Sequence, residues 1–421
     1  MATPSLAMIP SGYKASKVYS VLPESGVGDF DFTRATTATR INSSGLIEEM
    51  AINVPRLEYP LIDGVVNGCP SLLLEPQSTN SLQYSEDFSQ SVWNTWQSTK
   101  TLSNNINPKG TNGYYEISHT GSSSDNPNTR LTNVSLNGSY TLSFFVKINQ
   151  SRYISLSIED YNGDRARVYF DTINKTFTTI TNVGSPITNT SYSEFSNGWI
   201  RISLSVNLLN AVYDEVGIGI YNPSGSFPSA SGEVISVFGS QLEQGSYATS
   251  YIPTSGSAVT RLAESDVSLS NLPIFDYTVE DFSISFKITT KSFDSVFSRV
   301  LSKASTSSGY EVFIENNGAI YFRTVASGVG VFSYTNPNQI VLGVESNITI
   351  TRSGAVGKIY KDGIEITSVY ANHSNISSSL SNNLRLGSYV QSGYNFSGQI
   401  KDVKLYNTAL TDQELQALTQ V

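Results

Sequence analysis

Apolar and polar positions alternate in twos along most of this chain. Tyr140-Thr141-Leu142-Ser143-Phe144-Phe145-Val146, Tyr153-Ile154-Ser155-Leu156-Ser157-Ile158 and Trp199-Ile200-Arg201-Ile202-Ser203-Leu204-Ser205-Val206 are examples. Each sends apolar side chains to one face and Ser, Thr or Arg to the other, as a sheet with one buried side requires. Turn dipeptides separate such runs: Asn137-Gly138, Asn162-Gly163, Asn197-Gly198, Asn317-Gly318 and Asp362-Gly363. Many short strands with regular turns predict an all-β chain of antiparallel sandwiches. Helical spacing is clear only near the end, over Thr411-Asp412-Gln413-Glu414-Leu415-Gln416-Ala417-Leu418. There Thr411 and Glu414 are spaced as a capping box, and Leu415 and Leu418 would face the sandwich.

The periodicity divides the chain in three. Residues 1–78 are weakly periodic and carry Pro10, Pro23, Pro55, Pro60, Pro70 and Pro76. Such a stretch rarely builds its own core, which predicts an irregular attachment or assembly segment. Residues 79–262 form a strand-rich block with Trp93, Trp96 and Trp199, and residues 263–421 form a second.

With 421 residues, the chain is long enough for two or three cores. Only 14% of the residues are charged, and Ser, Thr, Asn, Gly and Tyr stand in their place. The 24 Tyr and 19 Phe spread along the length argue against disorder. A net charge of −9 excludes the basic surfaces that nucleic acid or an anionic membrane rewards. No apolar run approaches a membrane-spanning length. The start, Met1-Ala2-Thr3-Pro4-Ser5-Leu6-Ala7, lacks signal-peptide character, and Cys69 has no second cysteine to pair with. Folding in a reducing cytosol fits both.

Phe396-Ser397-Gly398-Gln399-Ile400-Lys401-Asp402-Val403-Lys404-Leu405-Tyr406-Asn407, followed by Ala409-Leu410-Thr411-Asp412-Gln413-Glu414-Leu415, resembles the closing signature of laminin-G/concanavalin A-like lectin domains. Gly357-Lys358-Ile359-Tyr360-Lys361-Asp362-Gly363 resembles their hairpin, and Leu384-Arg385-Leu386-Gly387 the strand after it. Further upstream, Asp31-Phe32-Thr33-Arg34-Ala35-Thr36-Thr37-Ala38-Thr39-Arg40, Leu72-Leu73-Leu74-Glu75-Pro76-Gln77-Ser78-Thr79-Asn80 and Tyr84-Ser85-Glu86-Asp87-Phe88 resemble sequences of bacteriophage fibre and tail proteins. Gln241-Leu242-Glu243-Gln244-Gly245-Ser246-Tyr247-Ala248-Thr249-Ser250-Tyr251-Ile252-Pro253-Thr254 is similar to the end of their carbohydrate-binding-module-like jelly roll. These resemblances imply two tandem jelly-roll domains, at 79–262 and 263–421, after the segment 1–78. They also imply a virion protein, of head or tail, with host-surface polysaccharide and other virion proteins as partners. For a fibre, a homo-oligomer, normally a trimer, is implied.

Catalytic chemistry finds little footing in the residues. His119, His373 and Cys69 are far apart, too few and too dispersed for a zinc site, and both histidines read as exposed polar residues. Glycoside hydrolysis needs only two carboxylates. Glu159 and Asp160 are adjacent in a strand and face opposite ways. Glu311 and Glu315 share a face, but four strand residues place them roughly 13 Å apart, beyond the roughly 5–9.5 Å of known mechanisms. The expectation is no enzyme, with a capsule-degrading glycosidase assembled from distant strands as one rival.

Two binding chemistries remain. Asp160, Asn162 and Asp164 alternate oxygen ligands around a turn, loosely like a calcium loop, although an ordinary hairpin turn is the favoured reading. A structural Ca2+ is therefore an expectation alongside no cofactor at all. Glycans present apolar faces between hydroxyls, so their sites combine aromatics with Asn and Asp. Candidates are Trp93, Trp96, Tyr114 and Tyr115 near Asn112, and the loops with Tyr334 and Asn336 and with Tyr389, Tyr394 and Asn395. Trp199 belongs to a core, and Trp93 is equally suited to one. Arg34 and Arg40 near Glu48 and Glu75 suggest ion pairs, expected at the surface and worth roughly 0–1 kcal/mol each; Glu243 is a candidate partner for a buried Arg or a cation. The expected function is a virion fibre or adhesin binding host glycans, against a decoration or spacer protein that binds none.

Overall fold

The computed structural model is 57% strand and 2% helix. It describes residues 2–120, 128–147, 152–160, 164–184, 186–208, 214–223, 233–270, 276–277, 280–293, 295–374, 382–389 and 395–418. The alternating runs become the strands Gly138–Lys147, Tyr153–Asp160 and Trp199–Leu208. Asp362 (φ 51°) and Gly363 (φ 78°) both take the left-handed conformation that a tight hairpin needs. The terminal helix Asp412–Ala417 carries the capping box of Thr411 and Glu414, and its Leu415 is buried against Tyr360, Tyr406 and Leu410.

The middle block is a sandwich of two six-stranded antiparallel sheets. Ile200, Ile202, Leu204 and Val206 face its core together with Leu142, Phe144, Leu156 and Ile158. Trp199 is fully buried as expected, but on the other face of its strand, with Arg201 and Ser203. There Ile47, Tyr114, Phe145, Phe238 and Tyr251 join it in a second apolar cluster. The hairpin Ala38–Ile41/Ile47–Met50 supplies Ile47, so the N-terminal segment covers a sheet face that alternation alone would leave polar.

Residues 1–78 are not an appendage. Leu6–Met8 and Ser71–Leu74 pair one after the other along one edge of the strand Gly398–Tyr406, whose other edge pairs with Phe282–Thr290, in an eight-stranded sheet. Phe30–Thr33 pairs with Asp266–Leu269 in the opposing ten-stranded sheet. The side chains of Leu6, Met8, Phe30, Phe32, Leu72 and Leu74 fill the core between these two sheets, beside Phe282, Ile350 and Leu405. The C-terminal sandwich is thus built from both ends of the chain, and the middle sandwich is an insertion between them. The boundary drawn at residue 78 divides one sandwich.

Where the three parts meet, charged groups are buried. Arg56 lies 2.7 Å from Glu75 and 2.6 Å from Glu264, and all three side chains are 0–4% exposed. Arg34 approaches Glu264 at 3.4 Å and Arg261 approaches Glu75 at 3.5 Å. Ser250, on the exit from the middle sandwich, donates its backbone N–H (2.8 Å) and its hydroxyl (2.6 Å) to Glu75. Burial alone would lower the Arg56 pKa, but the two carboxylates outweigh it and hold the guanidinium above its ordinary value. Burial would likewise raise Glu75, but Arg261 and Arg56 hold it well below the ordinary range. Surface pairs were the expectation for Arg34 and Glu75; only Arg40–Glu48, at 2.8 Å with Glu48 41% exposed, matches it. Glu243 is buried and accepts from Ser78, Gln241 and Thr249.

Candidate functional site

Four neighbouring strands of the ten-stranded sheet carry the site: Phe297–Ala304, Gly309–Glu315, Ile320–Ala326 and Val329–Thr335. Their period of two splits them cleanly. Tyr310, Val312, Ile314, Ile320 and Phe322 go to the core, and Glu311, Phe313, Glu315, Tyr321, Arg323, Phe332 and Tyr334 take the opposite parity. Register then aligns the second set. Arg299 is opposite Phe313, Phe313 opposite Tyr321, and Tyr321 opposite Tyr334. The result is one cross-strand row of a guanidinium and three rings, with Glu311, Arg323 and Phe332 in the next row.

The rings are stacked rather than scattered. Phe313 and Tyr321 lie 5.0 Å apart at 8°, and Tyr321 and Tyr334 lie 4.9 Å apart at 16°. Phe297 meets Phe313 edge-on at 5.4 Å. The Arg299 guanidinium sits 4.6 Å from the Phe313 ring and 5.1 Å from that of Tyr389. Contacts of both kinds stabilise the row by about 0.5–1.5 kcal/mol each beyond their buried area, so the surface is held before any ligand arrives. Glu311 is completely buried and neutralised by Arg323 at 2.8 Å and Arg299 at 3.3 Å. Removing it would leave two cations facing each other.

At the Tyr334 end the row becomes polar. The Tyr321 hydroxyl donates to Glu315 at 3.2 Å, and the Asn317 amide donates to the same oxygen at 2.8 Å. Burial, reinforced by the Glu315 carboxylate, pushes the Tyr321 phenol up to about 12, so it remains a donor at any physiological pH. Asn336 is exposed beside Tyr334. Phe313 (3% exposed) and Arg299 are buried and serve as backing, while Tyr321 and Tyr334 are half-exposed. These two rings next to a carboxylate and two amides match what a sugar offers, an apolar face bordered by hydroxyls.

Tyr334 and Asn336, expected from sequence, mark one end of this face. Asn395 bridges Arg299 at the other end. Tyr394 lies outside the described residues. Phe297, Arg299, Phe313, Tyr321 and Arg323 escaped sequence reading, although their shared parity with Glu311 and Tyr334 was a usable signal.

The candidates in the middle sandwich do not assemble. Trp93 is 2% exposed, packs 4.8 Å from Phe88 and donates its indole N–H to the Tyr84 carbonyl, so it is core. Tyr114 is 3% exposed in the Trp199 cluster, and Tyr115 is buried with its hydroxyl on Asp87 at 2.7 Å. Trp96 and Asn112 are exposed, but they flank opposite ends of the strand Ser98–Ile106, about 26 Å at roughly 3.3 Å per residue. Trp96 instead stands 5.9 Å from the Arg130 guanidinium.

Of the calcium candidates, Asn162 and the side chain of Asp160 lie outside the described residues, and Asp164 is half-buried. Among the described residues, no three His, Cys, Asp or Glu side chains gather as a metal site would require. Both histidines, expected at the surface, are buried. His119 is 3% exposed, and His373 is fully enclosed with its ring nitrogens 2.8 Å from Thr324 Oγ1 and 2.9 Å from Ser333 Oγ.

Comparison with known families bears on the sandwich that carries this face. Residues 263–416 match the concanavalin A-like lectin/glucanases superfamily. The C-terminal unit is a lectin-like β-sandwich. All four strands of the aromatic face and the capped helix lie within the matched stretch, whereas the strands given by residues 1–78 lie outside it. Among solved structures, the carbohydrate-binding module CBM40 of the Ruminococcus gnavus IT-sialidase shares 20% identity over 34% of this chain and 83% of that one, with a TM-score of 0.28. Its complex with α2,6-sialyllactose gives the same identity and score, over 84% of that chain. The binding domain of Paraclostridial mosquitocidal protein 1 shares 16% identity over 37% of this chain and 41% of that one, with a TM-score of 0.33. No curated protein matches the chain.

Proposed function

We propose that this chain is a non-catalytic virion adhesin of a bacteriophage, and that the aromatic face of its lectin-like sandwich binds glycans of the host surface. The half-exposed rings of Tyr321 and Tyr334, backed by buried Phe313 and Arg299 and bordered by Glu315, Asn317 and Asn336, carry the glycan part. The two outward carboxylates serve structure: Glu311 is occupied by two guanidinium groups, and Glu315 by a phenol and an amide. That arrangement suits binding without turnover.

The virion part rests on sequence. The segment from Asp31 to Arg40 and that from Leu72 to Asn80 resemble phage fibre and tail proteins, and both lie at the junction with the buried ion pairs. A trimer is the assembly this implies. Because the core strands of residues 1–78 are taken up within the chain, contact with other virion proteins falls to its exposed parts. The hairpin Leu61–Ile62/Val65–Val66 offers Ile62 (57% exposed) and Val65 (68%) for this.

The purified chain added to host cells before infection tests both parts. Competition with phage adsorption, lost in a Tyr321→Ala/Tyr334→Ala variant, is the expected result. Binding to host glycan without any effect on adsorption would remove the adhesin role. Release of reducing ends from host capsule would overturn the non-catalytic assignment.

A further inference from the structure

A cavity of about 690 Å³, which shares no lining residue with the aromatic face, lies where the two sandwiches and the N-terminal segment meet. Its walls come from all three parts: Glu58 to Asp63, the edge-strand residues Ser191 to Glu194 with Phe195 just beyond, and Lys291, Gln399 and Lys401 of the C-terminal sandwich. A volume in the range of roughly 300–1,000 Å³ at a domain junction is characteristic of small-ligand sites.

Its chemistry is nearly neutral but rich in hydrogen-bonding groups. Five carboxylates and four cations line it, so neither a polyanion nor a polycation is favoured. Several groups are committed to structure: Glu75 to Arg56, Lys401 to Glu345 and Glu194 to Lys175. Others retain capacity. Arg201 donates to the Thr249 carbonyl and to Ser143, while its Nε is buried with no hydrogen-bond partner. Glu58 lines the cleft and accepts from Gln399 on one oxygen, and burial pushes its pKa up against the opposing Lys291 cation. Tyr192, 41% exposed, adds apolar ring surface, while Phe145 is buried behind the Arg201 guanidinium at 5.3 Å.

We infer that this cleft is a second binding site and that it takes an uncharged saccharide of one to three units. An unpartnered donor on Arg201, the exposed Lys291 ammonium, an acceptor at Glu58 and ring surface at Tyr192 suit a polyol better than an ion. The inference shares its ligand class with the proposed function but none of the residues of the aromatic face. A saccharide seated here touches both sandwiches at once and would fix their relative position.

Calorimetry of the full chain with a panel of neutral mono- to trisaccharides tests it, alongside two variants. Tyr192→Ala/Lys291→Ala alters exposed side chains of the cleft, and Tyr321→Ala/Tyr334→Ala alters the aromatic face. The inference predicts at least one saccharide whose affinity falls roughly tenfold or more in the cleft variant and is unchanged in the face variant. If every saccharide that binds is lost only in the face variant, the cleft is no site and the proposed function stands. If every saccharide that binds is weakened equally by both variants, the cleft is no separate site and the inference fails. If none of the saccharides binds, the inference fails whatever polymer the aromatic face recognises.

Discussion

His373 shows how far a single side chain can depart from its sequence context. Flanked by Asn372 and Ser374, it looks like a surface residue, yet it is enclosed between Thr324 and Ser333 and packed 4.6 Å from the Phe322 ring. Burial, with the nearby Arg352 cation, lowers its pKa from 6.5 to about 4. As pH falls below about 6.5 the unfolded chain takes up this proton, and the folded chain does not until about 4. Stability present at neutral pH is therefore lost across that window, by up to about 3 kcal/mol. Urea unfolding at pH 7 and pH 5 should show the loss, and His373→Gln, though less stable at pH 7, should flatten it; an equal slope in both proteins would assign the pH dependence elsewhere. Below 4.5 the depressed pKa of Glu75 acts in the same direction, since protonating it removes the partner of Arg56 and Arg261. Nothing adjacent in sequence foretells either burial, because the covering residues arrive from strands 40 to 49 positions away for His373.

At the scale of elements, local patterning was legible and pairing was not. The alternating runs, the Asp362-Gly363 turn and the capped helix follow from neighbours in sequence. The aromatic row does not, because it depends on register across four strands and on the bulge between Arg299 and Leu301, which sets which residue faces Phe313. Nor does the pairing of Leu6 with Leu405, which spans nearly the whole chain. Residues 1–78 looked irregular because their strands are short and fill two sheets of another part. From this follows an expectation: residues 263–421 expressed alone lack the strands along one edge of Gly398–Tyr406 and the core side chains of Leu6, Met8, Phe30, Phe32, Leu72 and Leu74, and should not fold. Sharp near-ultraviolet circular dichroism from that fragment would contradict it. Deleting 263–421 to test adsorption would also strip the partners of residues 1–78, so point variants are the sounder probe.

Across the whole molecule, the buried charges hold the inserted sandwich to the one formed by the chain ends. Arg56 contacts Glu75 before the insertion and Glu264 after it, so it closes the neck through which the chain enters and leaves. Arg56→Met would leave two carboxylates buried without their main partner, at a cost of roughly 3–5 kcal/mol. Thermal unfolding should therefore shift down by several degrees, with the two sandwiches separating into distinct transitions; an unchanged single transition would mean that the network is dispensable.

The central claim is that the face around Tyr321 binds glycans, and a glycan array probed with the wild type and with Tyr321→Ala/Tyr334→Ala side by side tests it most directly. The account predicts binding of the wild type to a defined set of polymeric glycans and a loss of roughly tenfold or more in the variant, each ring contributing about 0.5–1.5 kcal/mol. Undiminished binding by the variant, or no binding by the wild type to any glycan, would contradict it.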